Sequence, residues 1–197
     1  AGIALQLAVR TMLPNGRRAD RISALINSVA KRDAGLLAPA VEELYNGFGS
    51  GFTAMQFAVS CSDRPDAERR RVAERQVGNS AFGDLPFMHL RSEICSAFGS
   101  AEAHHAAEFW STVPTLLLSG TLDTNAPPFQ AEQILWALPN GIHISVENGF
   151  HETLPAPEVQ KIVVDFMGGV DVRGRKVQFP APTFLSMEAA KAQPPGR

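Results

Sequence analysis

Cysteine is scarce in this 197-residue sequence: Cys61 and Cys95 are the whole supply, too few and too far apart for a cysteine-rich zinc site. They leave one disulfide or two free thiols, and the even count keeps a secreted home open. Basic charge is short as well. Eighteen Lys and Arg stand against 20 Asp and Glu, a net charge of -2. That balance lacks the positive excess needed to neutralise phosphates, so nucleic acid is excluded as a partner. Long apolar runs are missing too. The longest, over residues 2–9 and 114–119, fall far short of the roughly 20 residues that cross a bilayer, and no membrane span is expected. The sequence starts at Ala1 with no basic segment, apolar run and small-residue cleavage site before it, which predicts further polypeptide upstream. What the chain has in quantity is core material: 45% of it is apolar and 19% charged, enough for one domain or a small pair.

The first fifty residues read as three helices and no strand. Ile22, Leu25, Ile26 and Val29 fall at i, i+3, i+4 and i+7 behind Asp20 as N-cap, one face of an amphipathic helix. A second stripe holds Leu36, Leu37, Val41, Leu44 and Tyr45, and another runs from Ile3 to Leu13. At Gly47-Phe-Gly-Ser-Gly51 the pattern changes. Met55, Phe57 and Val59 then alternate with polar or small residues, a strand ending near Cys61. Helices are predicted over residues 66–77 and 86–98. The compact apolar run 114–119 fits a strand buried on both faces. A helix over 127–138, a strand over 142–146 and a helix over 155–167 complete the rhythm of a parallel α/β sheet. The end, from residue 170, is rich in Pro, Lys and Arg, with only 177–184 expected to pack.

In open α/β sheets, ligands meet the loops at the carboxyl ends of the strands. Two such loops follow the strands at 114–119 and 142–146, and they carry Asp123 and His151. A carboxylate and an imidazole on adjacent strand ends can hydrogen-bond, which fixes the histidine tautomer and stabilises the imidazolium formed when it takes a nucleophile's proton. The order acid, then histidine, agrees with a hydrolytic Ser, Asp, His order. Other clusters carry less. His104, His105 and Glu108 lie within one helical turn without further clustered ligands, so no metal is expected. Arg69, Arg70, Arg71 and Arg75 alternate with Glu68 and Glu74, a solvated helix face with i, i+4 pairs.

Several of these segments resemble the α/β-hydrolase superfamily, in the branch of tripeptidyl aminopeptidases and proline iminopeptidases. They are Pro114-Thr-Leu-Leu-Leu-Ser-Gly-Thr-Leu-Asp-Thr-Asn-Ala-Pro127, Leu138-Pro-Asn140, Asn148-Gly-Phe-His151, Ala58-Val-Ser-Cys-Ser-Asp63 and the tail Gly168-Gly-Val-Asp-Val172 with Val177-Gln-Phe-Pro180. The resemblance runs from about residue 50 to 180 and covers the C-terminal part of such a fold. It implies a helical cap segment over 1–50, the C-terminal part of the hydrolase core over 51–170 and a tail over 171–197. It implies Asp123 as the orienting acid, His151 as general base and then acid, and no metal or organic cofactor. The substrate would be a peptide or a small ester or amide. Glu42 and Glu43 resemble the acidic cap residues that receive a substrate's α-amino group. The family's Gly-x-Ser-x-Gly nucleophile pentad does not occur in this sequence, and Gly47-Phe-Gly-Ser-Gly51 has its serine out of register. The serine is therefore expected on an N-terminal half outside this chain, which by itself should be inactive. The rival reading is a non-catalytic binding or assembly module derived from a truncated hydrolase. Cys61 as nucleophile is disfavoured, since the family supplies serine. The predicted strand end and following helix bring Cys61 toward Cys95, which predicts a disulfide and a secreted or periplasmic location, with a cytoplasmic one as the alternative.

Overall fold

The computed structural model describes residues 2–51, 67–77, 79–80, 96 and 109–193. The strand expected over Met55 to Val59, the helix over 86–98 apart from Ser96, both cysteines and the His104, His105 and Glu108 group lie outside these residues. The chain divides into two compact units. One comprises Ala1–Ala8 with Leu37–Ala107, the other Val9–Leu36 with Glu108–Arg197.

In the first unit, α4 (Leu37–Gly51) and α5 (Ala67–Val77) are the described helices besides the start of α1 (Gly2–Met12). Arg71, Glu74 and Arg75 on α5 are exposed, the solvated face that their alternating charges require.

The second unit holds a parallel sheet in the order β1-β2-β3, formed by β1 (Thr115–Gly120), β2 (Gly141–Glu147) and β3 (Val177–Gln178). The chain is thus of the α/β class, with helices flanking a small parallel sheet. The strand period of two sorts β2 cleanly. Ile142, Ile144 and Val146 are buried together with Val159 and Ile162 of α7 (Pro157–Met167), Val172 and Val177, and Leu116 and Leu118 of β1 pack against them. Each fully buried aliphatic side chain in such a cluster stabilises by roughly 1.5–3 kcal/mol. The alternate positions Leu117, Ser119, His143 and Ser145 share the other face. There α6 (Pro128–Leu135) packs: a Cβ at Gly141 would stand 2.9 Å from the Leu135 side chain. Pro128 and Pro157 open α6 and α7 from inside the first turn, where a missing N–H costs nothing.

Three local expectations need correction. The helical start has a fourth element, the short α2 (Gly16–Ala19), which Asn15 caps by accepting the Arg17 N–H at 2.9 Å. Because this extra turn intervenes, Asp20 closes α2 and does not cap α3 (Ile22–Ala30); Arg21 occupies that position without a side-chain bond. The run 114–119 is not buried on both faces, since Leu116, Leu117 and Leu118 are half-buried and β1 pairs only with β2 among the described residues. The C-terminal segment is more ordered than its composition predicts. Val177 and Phe179 join the core as expected, but Phe184 is 63% exposed, and beyond it α8 (Met187–Ala192) starts at a Ser186 cap. That helix docks on α3: Leu185 N–H donates to the Asp20 carbonyl at 2.8 Å, Arg21 to the Ala190 carbonyl, and Lys191 pairs with Asp33.

Candidate active site

The site lies at the carboxyl ends of β1 and β2, and the acid is placed by its own loop. After Gly120 the chain turns, and Asp123 donates its N–H back to the Gly120 carbonyl at 3.1 Å. One carboxylate oxygen, Oδ1, accepts the N–H groups of Asn125 at 2.8 Å and Ala126 at 3.1 Å, an Asx turn leading into α6. The other, Oδ2, accepts from His151 Nδ1 at 2.9 Å. A turn-capping role and a histidine-orienting geometry thus coexist on one side chain because they use different oxygens.

The Asp123 side chain is 4% exposed, that of His151 49%. Burial pushes the Asp123 carboxyl up, but the His151 hydrogen bond and the two backbone donors together outweigh it and hold the group below the ordinary aspartate value. The carboxylate is therefore ionised at neutral pH. With its Nδ1–H committed to that carboxylate, the imidazole is held in one tautomer, and Nε2 is the nitrogen left to accept a proton.

The histidine is placed by backbone complementarity. Asn148 turns the chain after β2 in the left-handed region, at φ 57°, which asparagine tolerates better than most residues. Its N–H donates to Thr121 Oγ1 at 2.9 Å and its amide to the Phe179 carbonyl at 3.0 Å. Leu122 N–H bonds the Gly149 carbonyl at 2.8 Å, and His151 N–H bonds the Pro14 carbonyl at 3.0 Å. The two loops touch so closely that a Cβ at Gly120 would stand 2.2 Å from the Gly149 carbonyl oxygen. Only glycine fits there.

Of the sequence-predicted residues, Asp123 and His151 are brought together. Glu42 and Glu43 lie on α4 in the other unit, exposed to solvent. Glu147, the other carboxylate of the second loop, is also exposed. Sequence reasoning missed a second histidine contact, Ser119 Oγ with His143 Nε2 at 2.7 Å. Its one signal was a pair of polar residues at strand positions otherwise filled by Leu and Ile. It also missed Pro14 and Gly16, which nothing in the local pattern marks. Among the described residues no group of three or more His, Cys, Asp or Glu is placed to hold a metal ion, and no helix is long and apolar enough to cross a membrane. Comparison with known proteins finds no matching family model, curated protein or solved structure.

Proposed function

We propose that this chain supplies the acid and base of a serine hydrolase of the α/β-hydrolase type, acting on peptides with a free N-terminus or on small esters and amides. The observation that carries the reading is the 2.9 Å bond from His151 Nδ1 to the buried Asp123 carboxylate, on loops that follow adjacent parallel strands in the order acid then histidine. In this reading Asp123 orients the ring and stabilises its charged form. His151 Nε2 takes the proton of a serine hydroxyl as that oxygen attacks the carbonyl carbon, then gives it to the leaving amine or alcohol. Water repeats the cycle on the acyl-enzyme. The serine belongs to a polypeptide other than residues 1–197, because the Gly-x-Ser-x-Gly pentad does not occur in them.

A serine-reactive fluorophosphonate separates the outcomes. The 197-residue chain should remain unlabelled and hydrolyse neither aminoacyl nor simple ester substrates above background. A product that joins this chain to the polypeptide carrying the serine should label at one serine, and His151→Ala in that product should abolish labelling. Stoichiometric labelling of a serine within this chain, or a joined product that labels equally with His151→Ala, overturns the reading.

A further inference from the structure

Asp123 and His151 are held in different ways. The carboxylate is fixed by neighbours two and three residues along its own loop. The imidazole sits on a loop in which Phe150 and His151 lean on a distant segment, the turn between α1 and α2. Pro14 contributes its carbonyl, which accepts the His151 N–H at 3.0 Å. Gly16 contributes an open backbone surface against which the Phe150 ring lies, so close that a Cβ there would stand 2.7 Å from Phe150 Cδ2 and 3.1 Å from Cε2. The turn is itself held by backbone hydrogen bonds. Leu13 N–H bonds the Val9 carbonyl, Asn15 N–H the Met12 carbonyl, and the Asn15 carbonyl accepts from both Arg18 and Ala19. Downstream, the α8 docking contacts to Asp20, Arg21 and Asp33 hold α2 and α3 in place.

We propose that the Pro14–Gly16 turn is the positioning element of His151, with Gly16 as the positioning residue that sets where Phe150, and through it the imidazole, stands relative to Asp123. The proposal rests on the hydrolase reading for its catalytic meaning but not for its geometry. A side chain at position 16 must displace a ring attached to the residue next to His151. The displacement acts on the His151 N–H bond to Pro14 and then on the Nδ1–H bond to Asp123. Misplacement of a reacting group by about 1 Å is enough to lose on the order of 100-fold in rate.

The test is the Nδ1–H proton of His151, observed by nuclear magnetic resonance on the full chain with labelled histidine. The wild type should show it as a slowly exchanging downfield signal that Asp123→Asn removes. Gly16→Ala should weaken it and Gly16→Val abolish it. Phe150→Leu, which relieves the clash, should restore it in the Gly16→Ala background. Gly2→Ala, where a Cβ meets nothing within 4 Å, serves as the control and should change nothing. A purely structural role for Gly16 would lower the melting temperature without moving this proton. An unchanged signal in folded Gly16→Val, or a loss that Phe150→Leu does not rescue, overturns the proposal. In the product joined to the serine-bearing polypeptide, Gly16→Ala should lower kcat with KM little changed. A positive resonance result beside a product that never labels with fluorophosphonate would sink the hydrolase reading and leave the positioning role standing.

Discussion

Two histidines, one within β2 and one in the loop that follows it, each meet a hydroxyl or carboxylate from β1 or its loop, yet the two contacts arise differently. His143 and Ser119 lie within the strands, where the register pairs Leu117 with His143 and Ser119 with Ser145. Residues on one face of paired strands and offset by two are within reach of long side chains, so this 2.7 Å contact follows from the pleat and satisfies a buried hydroxyl. His151 and Asp123 lie beyond the strands, where no ladder positions anything. Their contact needs an Asx turn on one side and a left-handed Asn148, a glycine-to-backbone approach and a distant carbonyl on the other. One partner is a neutral hydroxyl, the other a buried carboxylate with three donors. The difference teaches that a histidine hydrogen bond marks a candidate site only when the fold spends several independent contacts to hold it.

The largest effect that would test this contrast is Asp123→Ala. It strands the Asn125 and Ala126 N–H groups and the His151 Nδ1–H, and should cost about 2–3 kcal/mol, read by urea unfolding. Ser119→Ala removes one neutral bond and should cost about 1 kcal/mol. Equal losses would break the distinction between the pairs.

Acid sharpens it further. The folded value of Asp123 is depressed, so its contribution to stability is complete above the unfolded aspartate value of about 4 and is lost as the pH falls through the lower folded value. Urea midpoints between pH 7 and 2.5 should show this limb reduced in Asp123→Asn and retained in Ser119→Ala. An acid limb of the same depth in Asp123→Asn would mean that other carboxylates carry it.

Asp20 should give the smallest effect and the opposite sign. Its Oδ1 is buried and has no hydrogen-bond partner among the described residues. Burial raises its carboxyl above the ordinary value, only partly offset by the Arg21 charge. An acid with a raised folded value is penalised while ionised, and the penalty disappears as the pH falls through that value. Asp20→Asn should therefore stabilise at pH 7 by less than about 1 kcal/mol, with the gain vanishing near pH 4. Destabilisation at pH 7 would mean that the ionised group has a partner in solution.

Regular elements of the second unit were readable because their signals are local. Runs 114–119 and 142–146 carry β-branched or Leu residues closed by glycine or polar residues, and each lies within a residue of the observed strand. Prolines mark the starts of α6 and α7 within two residues. Local signals misled where two elements competed for the same residues. Asp20 reads as an N-cap, but Asn15 opens a turn that reaches it first. The α8 helix is masked in the sequence by the prolines and basic residues around it, although Ser186 before Met187-Glu-Ala-Ala-Lys-Ala192 is a cap followed by strong helix formers.

For the site, the sequence by itself determined that Asp123 and His151 would follow the ends of two strands, because strand length and loop position are written in short-range apolar patterning. Only the tertiary structure decided that Nδ1 meets the carboxylate, that Pro14 and Gly16 hold the histidine loop, and that a serine at the end of β1 turns to His143. Those choices depend on backbone surfaces meeting across segments remote in the chain, and a carbonyl or a missing Cβ leaves no periodic trace in the order of the residues.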